Sequence, residues 1–123
     1  MKPLAVALGG AAGSVLRYAL SVALAGPSGT FPVNTLVVNV IGSFLLGVVL
    51  TVLPVPTSTP RLLLATGVCG GFTTFSTFSS EIVALAERGA VGRAATYAAA
   101  SLFLGVVAIV AGALAARGVL GTR

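Results

Sequence analysis

Six hydroxyl side chains and three phenylalanines at three-residue spacing fill GGFTTFSTFSS, residues 70–80, between two apolar runs. Glycine inside a helix costs about 1 kcal/mol against alanine, and clustered Ser and Thr compete with the helix for backbone hydrogen bonds. Gly67, Gly70 and Gly71 followed by Thr73, Thr74, Ser76 and Thr77 therefore predict a helix that breaks within an apolar segment. In lipid a break is tolerated only where it is buried in protein or lines a cavity, and the freed carbonyls and half-helix N-termini then form ion sites. Carbonyls suit a cation without any carboxylate, while the half-helix that follows turns its positive end toward anions. Phe72, Phe75 and Phe78 admit two readings. They are core packing, or they turn ring edges, the positive part of the aromatic quadrupole, into a narrow anion path.

Few other polar residues lie in apolar surroundings. Asn39, in NTLVVNVIGSF, carries amide donors that serve either a helix–helix hydrogen bond or a polar path. Tyr97 and Ser101 are four residues apart and share a helix face; their hydroxyls line a route or bond to neighbouring backbone. Arg17 has no acidic residue in its own segment. It snorkels to the interface, lines a vestibule that draws anions, or pairs across helices with Glu81 or Glu87. A guanidinium keeps its proton, which argues against catalysis. Glu81 is a candidate proton-coupling carboxylate or a partner for the hydroxyl stretch just before it. Cys69 is the only cysteine, so neither an intrachain disulfide nor a thiolate cage forms, and a small packing residue is expected.

The elements that must position these groups follow from composition. Of 123 residues 57% are hydrophobic and 7% charged, against about 25% charged in an average soluble domain, so the chain reads as an all-α integral membrane protein. Helices of about 20 residues cross a hydrocarbon core. Polar and Pro/Gly-rich punctuation cuts the hydropathy into four segments, about 4–25, 34–53, 61–86 and 92–117, forming one domain over 1–123. The connections AGPSGTFP, PVPTSTP and ERGAVGR are short, so successive helices are antiparallel neighbours. The first segment runs on through Arg17 and Tyr18 without a cleavage site, which favours a mature helix over a signal peptide. Gly9 with Gly13, and Ser43 with Gly47, have the small-xxx-small spacing of close helix contacts in lipid.

The seven basic residues are scattered singly, which speaks against nucleic acid. Lys2, Arg61, Arg117 and Arg123 fall on the side of the termini, and Arg88 and Arg93, with Arg17 nearer them, on the other. Four against three is almost no positive-inside bias, so insertion both ways round and an antiparallel dimer are expected, unless Lys2 and the N-terminal end decide one orientation. With no His or Asp, no catalytic pair can be placed, and an enzyme is excluded.

GVCGGFTTFSTFSSE at 67–81, FPVNTLVVNVIGSFLLG at 31–47, GGAAGSVLRY at 9–18 and the Tyr97, Ser101 pair closely resemble the small bacterial fluoride channels of the Fluc (CrcB) family, across all four segments. The resemblance implies a dual-topology antiparallel dimer of four-helix subunits with a broken third helix, two fluoride pores and a central sodium ion. It implies sodium held by the backbone carbonyls of Gly70 and Thr73, and pore-lining rings at Phe75 and Phe78. Asn39, Tyr97 and Ser101 match the family's pore asparagine, tyrosine and serine; Thr77 and Ser80 are further hydroxyls near the path, and Arg17 matches a vestibule residue. Glu81 matches a family glutamate.

The expectation is a passive, fluoride-selective channel, multi-pass in the cell membrane, that lets the ion leave down its gradient and relieves its toxicity. Its partners would be fluoride, lipid and a second copy or a paralogous subunit. One rival is a proton-coupled exporter like the small multidrug transporters, whose first helix carries a membrane-embedded carboxylate that this chain lacks. The other is a nonconducting assembly subunit, which would pass no ion.

Overall fold

The computed structural model describes residues 1–27 and 30–121. Arg123, counted above with the basic residues, lies outside them. Among the described residues, four spans are long and apolar enough to cross a membrane. The first two are α1 (Lys2–Ala23) and α2 (Val33–Val52). The third, Thr59–Glu87, is in two pieces, and the fourth is α5 (Val91–Leu120). At 1.5 Å per residue the 20 residues of α2 reach about 30 Å, one hydrocarbon thickness. Arg61 ties the turn between the second and third spans: its Nη1 donates to the carbonyls of Leu53 and Pro54 at 3.0 and 2.9 Å. Leu53 is the C-cap of α2 and Pro54 follows it, so the guanidinium sits at the negative end of the helix dipole. Gly89, at φ 78°, makes the tight reversal into α5, a conformation an L side chain would strain.

The break comes later than the glycines suggest. The first piece of the third span, α3 (residues 59–72), begins with Thr59–Arg61, widens into a π-helix over Leu62–Cys69 and closes with a last α turn at Gly70–Phe72. Thr73 and Thr74 are extended, at φ −77°, ψ 157° and φ −148°, ψ 118°. The second piece, α4, is Phe75–Glu87. Gly67 and Gly71 stay helical because α1 lies directly against them. A Cβ on Gly67 would sit 2.8 Å from Gly9 Cα, and one on Gly13 2.8 Å from the Phe72 nitrogen. Their intrinsic cost in a helix is offset by a backbone-to-backbone approach that no larger residue permits. The two threonines, not the glycines, leave the helix.

A second close pair is α2 against α5. A Cβ on Gly47 would run into the Ile109 carbonyl, and one on Gly112 into the Phe44 carbonyl. The Gly9/Gly13 spacing thus serves α3, and Gly47 serves α5. Between α4 and α5 lies a small core of Phe78, Leu85, Ala94 and Tyr97. Outward-facing Leu102, Phe103 and Val106 remain exposed, as a lipid-facing surface requires. The break also separates the three phenylalanines: Phe72 is buried at the end of α3, while Phe75 and Phe78 belong to α4.

Candidate functional site

Extended backbone at Thr74 presents both its N–H and its C=O to a neighbour, and the neighbour is an amide of matching shape. Thr74 N–H donates to Asn39 Oδ1 at 2.8 Å, and Asn39 Nδ2 donates to the Thr74 carbonyl at 3.1 Å. Asn39 thus bonds the extended backbone of the break while also lining the cleft beside it, and one amide hydrogen is left over. The Thr74 hydroxyl caps α4: it accepts from the Thr77 N–H at 3.2 Å and donates to Thr77 Oγ1 at 3.1 Å. A side-chain oxygen at this position meets one of the donors that every helix start leaves over.

A helix that ends at Phe72 leaves the carbonyls of Gly70, Gly71, Phe72 and Thr73 without helical donors, and that of Gly71 accepts from Ser14 Oγ at 3.5 Å. The N–H that would bond the Gly70 carbonyl belongs to Thr74 and goes to Asn39. The N–H that would bond the Thr73 carbonyl belongs to Thr77 and goes to the Thr74 hydroxyl. Gly70 and Thr73 both line a cleft of about 320 Å³. Neutral carbonyl oxygens of this kind can replace the water of an alkali cation, and two of them are too few to complete its shell. Among the described residues, no group of three or more His, Cys, Asp or Glu side chains could hold a metal. Backbone carbonyls are hard oxygen donors, which suit a hard cation better than one bound by thiolate or imidazole.

The same cleft is lined by Asn39, Phe75, Phe78 and Ser101. Ser101 Oγ is buried and has no hydrogen-bond partner among the described residues. A hydroxyl in that state costs stability unless something else satisfies it. Phe78 is 8% exposed and fixed against Tyr97 at a centroid distance of 5.0 Å, whereas Phe75 is 77% exposed. The two phenylalanine rings are 5.7 Å apart and tilted by 47°. One ring is locked in the core and its neighbour is open.

Tyr97 and Ser101 share a face of α5, yet their hydroxyls part ways. Tyr97 is fully buried, and its OH donates to Glu81 Oε2 at 2.6 Å. The other carboxylate oxygen, Oε1, accepts from the Thr35 hydroxyl at 2.7 Å. Glu81 is thus held on both oxygens by hydroxyls and forms no ion pair with Arg17. Instead Arg17 lines a second cavity of about 230 Å³ together with Ser21, Thr35 and Thr77. Thr74 borders both cavities, so the break is next to each of them. The Ser80 hydroxyl donates back to the Thr77 carbonyl at 2.9 Å on an exposed face and lines neither cavity. Cys69 is buried beside the break, and its carbonyl accepts from Thr73 Oγ1 at 2.9 Å.

Sequence reasoning passed over Thr35 and gave Ser43 only a helix-contact role. Both were discoverable: Thr35, Asn39 and Ser43 follow each other at four-residue intervals on one face of α2. Ser43 lines the first cleft and Thr35 the second.

Residues 4–113 match the family described as CrcB-like protein, Camphor Resistance (CrcB). The chain is 52% identical over 106 residues to a protein of Thermus thermophilus (strain ATCC 27634) named fluoride-specific ion channel FluC, covering 84% of this chain and 85% of the relative. A protein of the same name from Agrobacterium fabrum is 50% identical over 113 residues, 87% of this chain and 89% of the relative. A third, from Cereibacter sphaeroides (strain ATCC 17029), is 48% identical over 118 residues, 94% of each chain.

Proposed function

This chain belongs to the CrcB-like family, and from that premise we propose that it is a fluoride-specific ion channel, multi-pass in the cell membrane, that lets fluoride leave the cell passively. The observation that carries the reading is the buried Ser101 hydroxyl, unpartnered beside Phe78 in a cleft that Asn39 also reaches with an amide hydrogen to spare. Fluoride is small and tightly hydrated, so a selective path must replace its water with close donors and positive edges. Ser101, Asn39 and the edges of Phe75 and Phe78 are groups of that kind. Arg17 and Thr77, in the second cavity, would draw the anion toward the break. Tyr97 would act by holding Glu81 and backing Phe78, and Ser80 would meet the ion only by leaving its bond to Thr77. Because hydrogen fluoride enters as a neutral acid and ionises inside, a passive channel suffices for export.

The working unit in this reading is an antiparallel dual-topology dimer in lipid, of two copies or of this chain with a paralogue. Supporting it are the open ring of Phe75 and the incomplete donor set at Gly70 and Thr73. A second subunit would complete both, with sodium bound by the carbonyls of Gly70 and Thr73. The ion would supply fixed positive charge at the break.

The test is efflux from liposomes reconstituted with the purified protein, with fluoride compared with chloride. Fluoride should pass and chloride should be refused, without an imposed proton gradient. Equal passage of both, or of neither, would sink the reading. Dependence on a proton gradient, abolished in Glu81→Gln, would replace it with the coupled exporter.

A further inference from the structure

Asn39 grips Thr74 from α2, whereas the hydrogen bonds of Thr73 run back to Cys69 in its own helix. One turn further along the same face of α2 comes Gly42, which is buried. A Cβ built on it would collide with Thr73 Cγ2 and come within 3.1 Å of Phe72 Cδ1. The Thr73 methyl has no easy retreat. A β-branched side chain has few rotamers, and this one is pinned by the hydroxyl bond to the Cys69 carbonyl at 2.9 Å. Turning the methyl away would break that bond, and shifting the backbone would move the Thr73 carbonyl itself.

We propose that Gly42 is a positioning residue for the cation site: its missing side chain is the socket for the Thr73 methyl, and this socket aims the Thr73 carbonyl into the cleft. Successive turns of α2 then clamp both residues of the break, Asn39 by hydrogen bonds to Thr74 and Gly42 by shape against Thr73. The inference rests on the reading that the Gly70 and Thr73 carbonyls bind sodium. It differs from the helix-contact role of Gly47 and Gly112, whose obstacles are backbone carbonyls. At Gly42 the nearest obstacle is one side-chain methyl, so a second substitution can remove it.

The test uses Gly42→Ala, Thr73→Ser and the double variant as full-length protein in detergent and in liposomes. Serine keeps the hydroxyl that bonds Cys69 and lacks the methyl. Two readouts are taken: the rise in unfolding temperature when sodium replaces choline, which follows cation binding, and fluoride efflux. The wild type should be stabilised by sodium, and Thr73→Ser, a change at the site itself, sets the reference for the double variant. Gly42→Ala should need at least about tenfold more sodium than wild type for the same stabilisation, a loss of about 1.4 kcal/mol, with slowed efflux. In the Thr73→Ser background the same Gly42→Ala change should cost markedly less on both readouts, with Phe72 Cδ1, 3.1 Å from the new Cβ, as the remaining close contact. If Gly42→Ala does not fold, folding and sodium stabilisation of the double variant support the socket, and failure of both variants to fold overturns it. Sodium stabilisation of Gly42→Ala equal to wild type defeats the Gly42 proposal alone. A wild type that passes fluoride and gains nothing from sodium defeats the cation reading, and the Gly42 proposal with it.

Discussion

Replacing Asn39 by leucine, which has nearly the same shape and no polar atoms, removes both bonds that hold the break open. Thr74 is only 8% exposed, so water cannot readily substitute for the lost amide. Two backbone groups, an N–H bonded at 2.8 Å and a C=O bonded at 3.1 Å, would be left buried and unpaired. At about 1–3 kcal/mol for each orphaned group, the cost is about 2–6 kcal/mol. The chain has one escape: the Thr74 N–H can return to the Gly70 carbonyl and extend α3 by one residue. Doing so lowers the cost and removes a carbonyl from the cleft, so stability and function trade against each other. Equilibrium unfolding in mixed micelles reads the first, and fluoride efflux together with sodium stabilisation reads the second. Asn39→Leu should show either a large loss of stability or a smaller one with loss of the sodium effect. Asn39→Asp keeps an acceptor for the Thr74 N–H but sets a carboxylate against its carbonyl, and should fall between. An Asn39→Leu protein within about 0.5 kcal/mol of wild type, with normal efflux and sodium response, would refute the clamp.

Ser101→Ala should leave stability unchanged or slightly raised, because the lost hydroxyl has no partner in the fold, while fluoride efflux falls; a stability loss above about 1 kcal/mol would mean that the hydroxyl is structurally bonded. Phe75→Ile and Phe78→Ile should both slow efflux in liposomes, with the proposed dimer intact by cross-linking. Only Phe78→Ile should also destabilise, by roughly 1 kcal/mol, since only that ring is packed on Tyr97; normal flux in both would remove the ring-edge argument. Gly47→Ala, whose new methyl meets the Ile109 carbonyl, should cost about 1–3 kcal/mol in unfolding experiments, and an unchanged unfolding midpoint would mean that α2 and α5 can separate freely.

Much of the architecture was legible because its causes are local. The expected spans 4–25, 34–53, 61–86 and 92–117 differ from the observed helix ends by no more than three residues. Apolar runs and Pro/Gly punctuation act on the chain wherever they stand. The break was readable for the same reason, though its position was not. Glycine's reluctance in a helix is intrinsic, but whether it is offset depends on a neighbour, and α1 supplied one at Gly67 and Gly71. Thr73 and Thr74 had no such support, and Asn39 held Thr74 in the extended form.

The site residues divide the same way. Residue types alone picked out Asn39, Phe75, Phe78, Tyr97 and Ser101, because polar groups and aromatic rings beside a helix break are rare enough to mark chemistry. Their partners were another matter. Tyr97 and Ser101 look equivalent on one helix face, yet the position of Glu81 and Thr35 captures one hydroxyl and leaves the other without a partner. Likewise only the structure shows that hydroxyls occupy the Glu81 oxygens and that Arg17 lines the second cavity. By itself, then, the sequence determined the number of crossings, the segment that must break and the side chains able to meet an ion, since each follows from the free energy of single residues in lipid. Only the tertiary structure decided which backbone carbonyls are released, which hydroxyls stay open and why position 42 must lack a side chain. Those outcomes depend on which helix face lies within a few ångströms of which neighbour, and no residue carries that information alone.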